Sequence, residues 1–260
     1  MPLAGRHVAV TGGSGGVGRP LVEGLLADGA LVTVLGRTAL PDRPRLSCIA
    51  ADFCTDRGLQ EATAILAGIG PDVLVHLAGQ QYFGPFDSQA LDDIIRAYHI
   101  NLVAPAILTR AVLPAMKFKG RGQVIFAGSV FGAIPFAHFA AYSSAKAGLA
   151  ALSLALEREN RGSGIAFTCV VPRAIRTGMA TEKIRQFAKL AKFKFDEPVS
   201  VANRLRHIIR KGGGRLGPGF PEALFMRIHG LSPSLVSMGV HGTNAKARAL
   251  FSSKSAAVRE

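Results

Sequence analysis

Short apolar runs of strand length alternate with longer amphipathic stretches along most of this chain. His7–Thr11 (HVAVT) is continuously apolar and predicts a buried first strand. A helix is predicted over Pro20–Asp28, with Pro20 in its first turn. Strands follow at Leu31–Leu35 and Leu46–Ala50, and then a helix over Leu59–Ala67, stopped by Gly68 and Gly70. Asp72–Leu77 predicts a fourth strand, and Leu91–Met116 one long helix, with Pro105 as a kink and Pro114 near its end. Gln123–Ala127, a helix over Ala141–Glu159 and a strand over Ile165–Val171 complete the alternation. These strands do not alternate apolar with polar positions, so both of their faces must be covered. The pattern predicts an α/β fold: a doubly wound parallel sheet in three layers, α/β/α, with ligands at the carboxyl ends of the strands.

Length and composition narrow this picture. The 260 residues suit a single domain, with a core over about 5–180 and a lid and apolar region over about 181–250. Apolar residues make up 48% and charged ones 18%, which supplies a large core and excludes disorder. No uninterrupted run of about 18 apolar residues suggests a membrane span. The first residues show no charged lead followed by an apolar run, so no cleaved leader is expected. Cys48, Cys54 and Cys169 lack metal-ligand spacing and are expected as small buried residues in a reducing, cytoplasmic setting. Ser252–Glu260 is small and polar and is expected to fray.

The net charge is +14, and it is uneven: positions 181–215 hold ten basic and three acidic residues. Such a balance suits nucleic acid, an anionic membrane or an acidic substrate. Neither a basic sheet interleaved with aromatics nor a DNA-binding motif is present, and tryptophan is absent, so nucleic acid is not expected as a partner. Within Thr181–Phe195, Ile184, Phe187, Leu190 and Ala191 predict an apolar stripe edged by cations. Pro221–Val240 is rich in large apolar residues but interrupted by Gly230, Pro233 and Gly239. The region 181–240 is therefore a candidate for covering a hydrophobic substrate, for peripheral membrane contact, or for self-association into a homo-oligomer.

Candidate chemistry lies in two places. Gly12, Ser14, Gly15, Gly16, Val17 and Gly18 form a glycine-rich turn between the first strand and first helix. There the backbone can approach a pyrophosphate, and the helix N-terminus faces the anion. After the second strand stands Arg37 and no acid, which favours NADP(H) over NAD(H), because arginine suits a 2′-phosphate. Asp52 is open to two readings, an acceptor for the adenine amine or a turn cap. Tyr142 and Lys146 stand four apart and share a helix face, where the ammonium is expected to lower the phenol pKa. Ser129, at the end of the fifth strand, can hold a substrate oxygen toward Tyr142. Asn101 can support a proton relay from Lys146.

Together these residues resemble the short-chain dehydrogenase/reductase family over about residues 5–180. Thr11-Gly12-x-x-x-Gly16-x-Gly18 is similar to its cofactor motif, and Ser129, Tyr142 and Lys146 to its catalytic core, with Asn101 as the fourth member. The resemblance implies a nicotinamide-dependent oxidoreductase acting on a carbonyl/alcohol pair, and the apolar stretches over 181–240 suggest a hydrophobic or lipid-like ketone as its small-molecule substrate, such as a 3-oxoacyl chain, a ketosteroid or a sterol-like ring. A non-catalytic binding module on the same fold would predict decay of these four residues, and none has decayed. The resemblance also implies that Asp52 and Phe53 flank adenine and that Ala78 and Gly79 line the adenosine side. Pro172, Ile175 and Thr177 would then meet the nicotinamide. Three departures stand out. His76-Leu77 replaces two usual asparagines, and His76 is expected as a satisfied core histidine. Arg173 replaces a usual glycine, pointing at a phosphate, at an acidic substrate or outward. The tail lacks the usual final strand and tetramer-forming end.

Overall fold

The computed structural model describes residues 2–214 and 216–252; most of the predicted frayed end lies outside these residues. The chain runs β1 (His7–Thr11), α1 (Gly18–Ala27), β2 (Leu31–Gly36), β3 (Leu46–Ala50), α2 (Asp56–Ile69) and β4 (Val73–His76). Then come α3 (Leu91–Tyr98), a π-helical turn (His99–Val103), α4 (Ala104–Lys119), β5 (Gly122–Ala127), the short α5 (Val130–Ala133), α6 (Ala140–Glu159) and β6 (Ile165–Val170). The last part holds β7 (Ala174–Ile175), α7 (Glu182–Leu190), β8 (Phe195–Asp196), α8 (Pro198–Lys211), α9 (Glu222–Leu231) and α10 (Pro233–Ser252).

Six strands form one parallel sheet in the order β3-β2-β1-β4-β5-β6, and β7 pairs with β8 in a separate two-stranded ribbon. Alternate side chains enter opposite cores. Val8, Val10, Val32, Val34, Val73 and Val75 pack with Leu21 and Leu25 of α1 and with Val201, Leu205 and Ile209 of α8. Ala9, Leu35, Leu74, Val124 and Phe126 face the other way, onto α2, α4 and α6. Asp28, past the end of α1, is bound by Arg206 and Arg210 and clamps α1 to α8. The sheet is thus the predicted one, and among the described residues it has no seventh strand. Beyond β6 the Val171 amide donates to the Leu216 carbonyl at 2.7 Å.

The long helix predicted over Leu91–Met116 is present and runs on to Lys119, with a π-turn at His99–Val103 inside it. Asn101 Nδ2 donates to the Ala97 carbonyl at 2.8 Å, taking up a main-chain acceptor inside a π-turn. Pro105 sits in the first turn of α4, where its missing N–H costs nothing, and Pro114 lies inside α4, which continues to Lys119. By length and composition alone the stretch Leu91–Lys119 could cross a membrane. Leu108, Val112 and Met116 are fully buried in the second core, however, so it packs as a core helix. In the tail, Pro233 opens α10 and only Ser232 separates α9 from α10, whereas Gly230 and Gly239 are absorbed into the helices.

Candidate active site

The carboxyl ends of β1, β4, β5 and β6 open into a cleft of about 1050 Å³. Every site residue picked out from the sequence lines this cleft, from Gly12 to Thr177. One half is built from the glycine turn. Gly12 has φ +69°, and a Cβ there would sit 2.7 Å from the Ala78 nitrogen. At Gly18 a Cβ would lie 2.3 Å from the Gly12 carbonyl oxygen, so only glycine lets α1 start this close to the turn. A Cβ on Gly16 would meet the Thr177 methyl at 2.6 Å, so the loop after β7 rests directly on the turn.

The ends of the helices differ in a way that suits an anion at α1. Thr55 caps α2 and Thr181 caps α7 through their hydroxyls, and each of those helices has an acid in its first turn. Helix α1 has neither a side-chain cap nor an acid in its first turn. Its positive dipole end therefore faces the cleft, although the Arg19 and Leu21 amides are taken by the Gly15 and Val17 carbonyls and Pro20 has none. Arg37 follows β2 on the same wall. Arg19, which the glycine motif does not mark, donates from Nε to the Ser14 carbonyl at 3.2 Å and braces the turn from outside.

Asp52 caps a turn: its Oδ1 accepts from the Cys54 amide at 3.0 Å, and its carbonyl accepts from Thr55. It also borders the cleft beside Phe53. Arg173, expected toward a ligand or solvent, is bound within the chain. Its Nε and Nη2 both donate to Asp196 Oδ1, at 3.1 and 2.9 Å, while Arg204 holds Oδ2 at 2.6 Å. A buried aspartate in the ribbon needs that pairing, and Arg173, just before β7, and Arg204 of α8 supply it.

The polar centre sits where β5 meets α6. Ser129 Oγ accepts from the Phe131 amide at 3.1 Å, which caps α5 and fixes the hydroxyl beside Tyr142. The Tyr142 phenol hydrogen-bonds to Ser129, and the residue is half-buried in the cleft wall. Burial raises its pKa above the ordinary tyrosine value and outweighs the Ser129 hydrogen bond. This reverses the expected lowering by Lys146. The Lys146 ammonium is held by the Ala127 carbonyl at 2.7 Å, 5.7 Å from the centre of the Tyr142 ring. Burial pushes the Lys146 pKa down to about 8. Tyr142 therefore remains a phenol throughout the neutral range and is set to give a proton. Asn101 is fully buried and donates to the Gln80 carbonyl at 2.7 Å as well as to Ala97. Its Oδ1 has no protein partner and lies beside Gly79, where a Cβ would stand 2.9 Å from it and 3.7 Å from Lys146 Nζ.

His76 is a core residue. Its Nε2 pairs with Thr109 Oγ1 at 3.0 Å, and its ring stacks on Phe126. Burial lowers its pKa to about 3. Between pH 6.5 and 3 the unfolded chain thus binds a proton that the folded chain refuses, so stability falls as pH falls. Between pH 7 and pH 4 the parent should lose about 3 kcal/mol more than His76→Asn, measured by urea midpoints. Equal losses would mean that His76 protonates in place.

The other half of the cleft is apolar and was only partly foreseen. Phe131, Phe136, Phe139, Phe187 and Phe193 pack ring on ring, with centroids 4.8–6.3 Å apart. Phe225, Ile228, Leu235, Val236 and Val240 of α9 and α10 close the far wall. On α7 the inward residues are Ile184, Phe187 and Ala188, with half-buried Ala191, while Leu190 points outward. Positions 184, 187, 188 and 191 follow helical spacing, and 190 falls off that face.

A family model for short chain dehydrogenases matches residues 6–187. The chain belongs to that family. Among curated short chain dehydrogenase relatives, a 3-dehydrosphinganine reductase of Danio rerio is 30% identical over 189 residues, 66% of this chain and 57% of that one. A 3-ketodihydrosphingosine reductase of Bos taurus is also 30% identical, over the same shares. The chain thus spans less than two thirds of the length of these two relatives. A D-xylose 1-dehydrogenase of Caulobacter vibrioides is 34% identical over 67% of this chain and 74% of that one. The fold superposes on a short-chain dehydrogenase from Streptomyces avermitilis with a TM-score of 0.76 at 27% identity, covering 94% of this chain and 99% of that one. Another, from Burkholderia cenocepacia and solved with NADP, gives 0.78 at 19% identity, covering 92% and 99%.

Proposed function

We propose that this protein is an NADP(H)-preferring reductase of a long-chain or otherwise lipid-like ketone. The observation that carries the reading is the pairing of the Ser129–Tyr142–Lys146 centre with a phenylalanine-walled chamber in one cleft. The curated relatives include reductases named for sphingoid ketones and a dehydrogenase named for a sugar. A sugar needs convergent polar groups, whereas this chamber offers aromatic and aliphatic walls, which favours the lipid side.

The cradle at Gly12–Gly18 fits a dinucleotide, because side chains at Gly12, Gly16 and Gly18 would collide with the chain and force the tight turn open, and α1 begins uncapped. In this reading Gly15, Gly16 and Val17 hold the pyrophosphate, Arg37 the 2′-phosphate, and Asp52 and Phe53 the adenine. Pro172, Ile175 and Thr177 border the nicotinamide, which when bound supplies or accepts the hydride. Ser129 holds the substrate oxygen, and Tyr142 gives it a proton during reduction or removes one during oxidation. Lys146 positions the cofactor ribose and returns the proton through a water held at Asn101 Oδ1, which has no protein partner. The raised phenol pKa keeps Tyr142 in the protonated form that reduction draws on near neutral pH.

Steady-state NADPH oxidation on addition of a ketone tests the activity. The cofactor preference is tested by Arg37→Asp, which should raise the KM for NADPH at least about tenfold and leave that for NADH within about twofold, as expected for loss of one charge-assisted phosphate contact. Equal effects on both cofactors would remove Arg37 from the 2′-phosphate.

A further inference from the structure

The helical hairpin α9–α10 is apolar on both sides. Its inner side, Ile228, Val236 and Val240, lines the chamber. Its outer side exposes Leu224, Leu231 and Met238, the last two at 89% and 69%, and Phe220 precedes it at 77%. Phe225 and Leu235 belong to both sides: they line the chamber and are half exposed, so the outer face continues into the chamber rim. A helix pair with apolar residues all round is suited to burial, not to water.

The charge around this face selects what covers it. Positions 180–252 hold thirteen basic and four acidic residues. The acids are engaged: Asp196 by Arg173 and Arg204, Glu197 by Arg176, Glu182 by Arg185, and Glu222 by Arg173. Among the described residues, exposed Lys189, Lys192, Lys194 and Arg227 have no carboxylate partner. Lys192 and Lys194 border the cleft itself. Helix α7 is joined to α10 where Lys183 lies over the Phe251 ring, 4.8 Å from its centre. A second copy of this chain would bring the same cations together.

We infer that the α9–α10 hairpin, with the cationic end of α7, docks on an anionic lipid surface and opens the chamber toward it. Apolar side chains would enter the acyl boundary while the lysines and Arg227 meet lipid phosphates. The ketone would then reach Tyr142 from the bilayer, without crossing water. This rests on the lipid-ketone reading for the delivery step, but the docking itself is read independently of turnover.

Flotation of the full chain with phosphatidylcholine vesicles, with and without phosphatidylserine, tests the inference. Binding is expected on the phosphatidylserine vesicles, and at least about tenfold weaker on neutral ones or in high salt. Leu231→Glu combined with Met238→Glu should weaken it at least tenfold. So should Lys189→Glu combined with Arg227→Glu. Cofactor binding should be unchanged in both, which shows that the fold is intact. Three results would overturn docking: no flotation of the parent, equal flotation on neutral vesicles, or variants that float like the parent. A concentration-dependent dimer abolished by Leu231→Glu and Met238→Glu, without flotation, would assign the face to a second copy and also overturn it. If vesicles bind but no ketone is reduced, the docking stands and the substrate reading falls.

Discussion

Replacing Tyr142 by phenylalanine is expected to lower turnover by roughly a hundredfold to ten-thousandfold while leaving NADPH affinity within about twofold. The change removes one oxygen from a half-buried ring and leaves the ring itself in place. What is lost is the group that hydrogen-bonds to Ser129 and reaches the substrate oxygen. Burial raises that phenol's pKa, so the parent carries the proton at all neutral pH values and is ready to donate. The descending limb of the reductive pH profile should instead fall near 8, where Lys146 loses its charge. Rates with NADPH saturating, together with direct titration of NADPH into both proteins, separate the two effects. Full activity in Tyr142→Phe would remove it as the acid.

Much of the site could be read from the sequence because it depends on local pattern. The strands of the main sheet begin and end within one residue of the expected positions, since continuous apolar runs were bounded by glycine, proline or polar residues. The glycine turn and the Tyr142–Lys146 pair each lie within one short segment, and parallel-sheet topology brings those segments to one edge. What escaped has physical causes. The π-turn at Asn101 depends on a side chain competing for a main-chain carbonyl, which apolar periodicity does not record. The direction of the Tyr142 shift depended on burial, which no spacing reveals, and on Lys146 being turned to Ala127. Arg173 was misread because its partner, Asp196, is 23 residues away on a two-residue strand.

The chamber was the least legible part. Its rings come from the loop around α5, from α7 and from the turn after α7. The far wall comes from α9 and α10, beyond the 6–187 stretch that the family model matches. Each contributing segment is too short or too interrupted to declare an inward face. Two clues were legible: the apolar run Pro221–Val240, and the predicted stripe of Ile184, Phe187, Leu190 and Ala191, in which Leu190 was misplaced and Ala188 missed.

The chamber also makes a large, graded prediction. Burying one methylene is worth about 0.8 kcal/mol, close to a fourfold gain if all of it appears in the transition state. A ketone lengthened by several carbons should therefore gain at least about a hundredfold in kcat/KM before the chamber fills. A small polar ketone, or a sugar in the oxidising direction, has nothing to place against Phe131, Phe187 and Phe193. The most direct measurement is the initial rate of NADPH oxidation by the purified protein across a homologous series of 3-oxo compounds, from short to long chain, with Tyr142→Phe run in parallel. The account predicts kcat/KM climbing with chain length and vanishing in the variant. A flat series, a preference for the shortest or most polar substrate, or turnover that survives in Tyr142→Phe would contradict it.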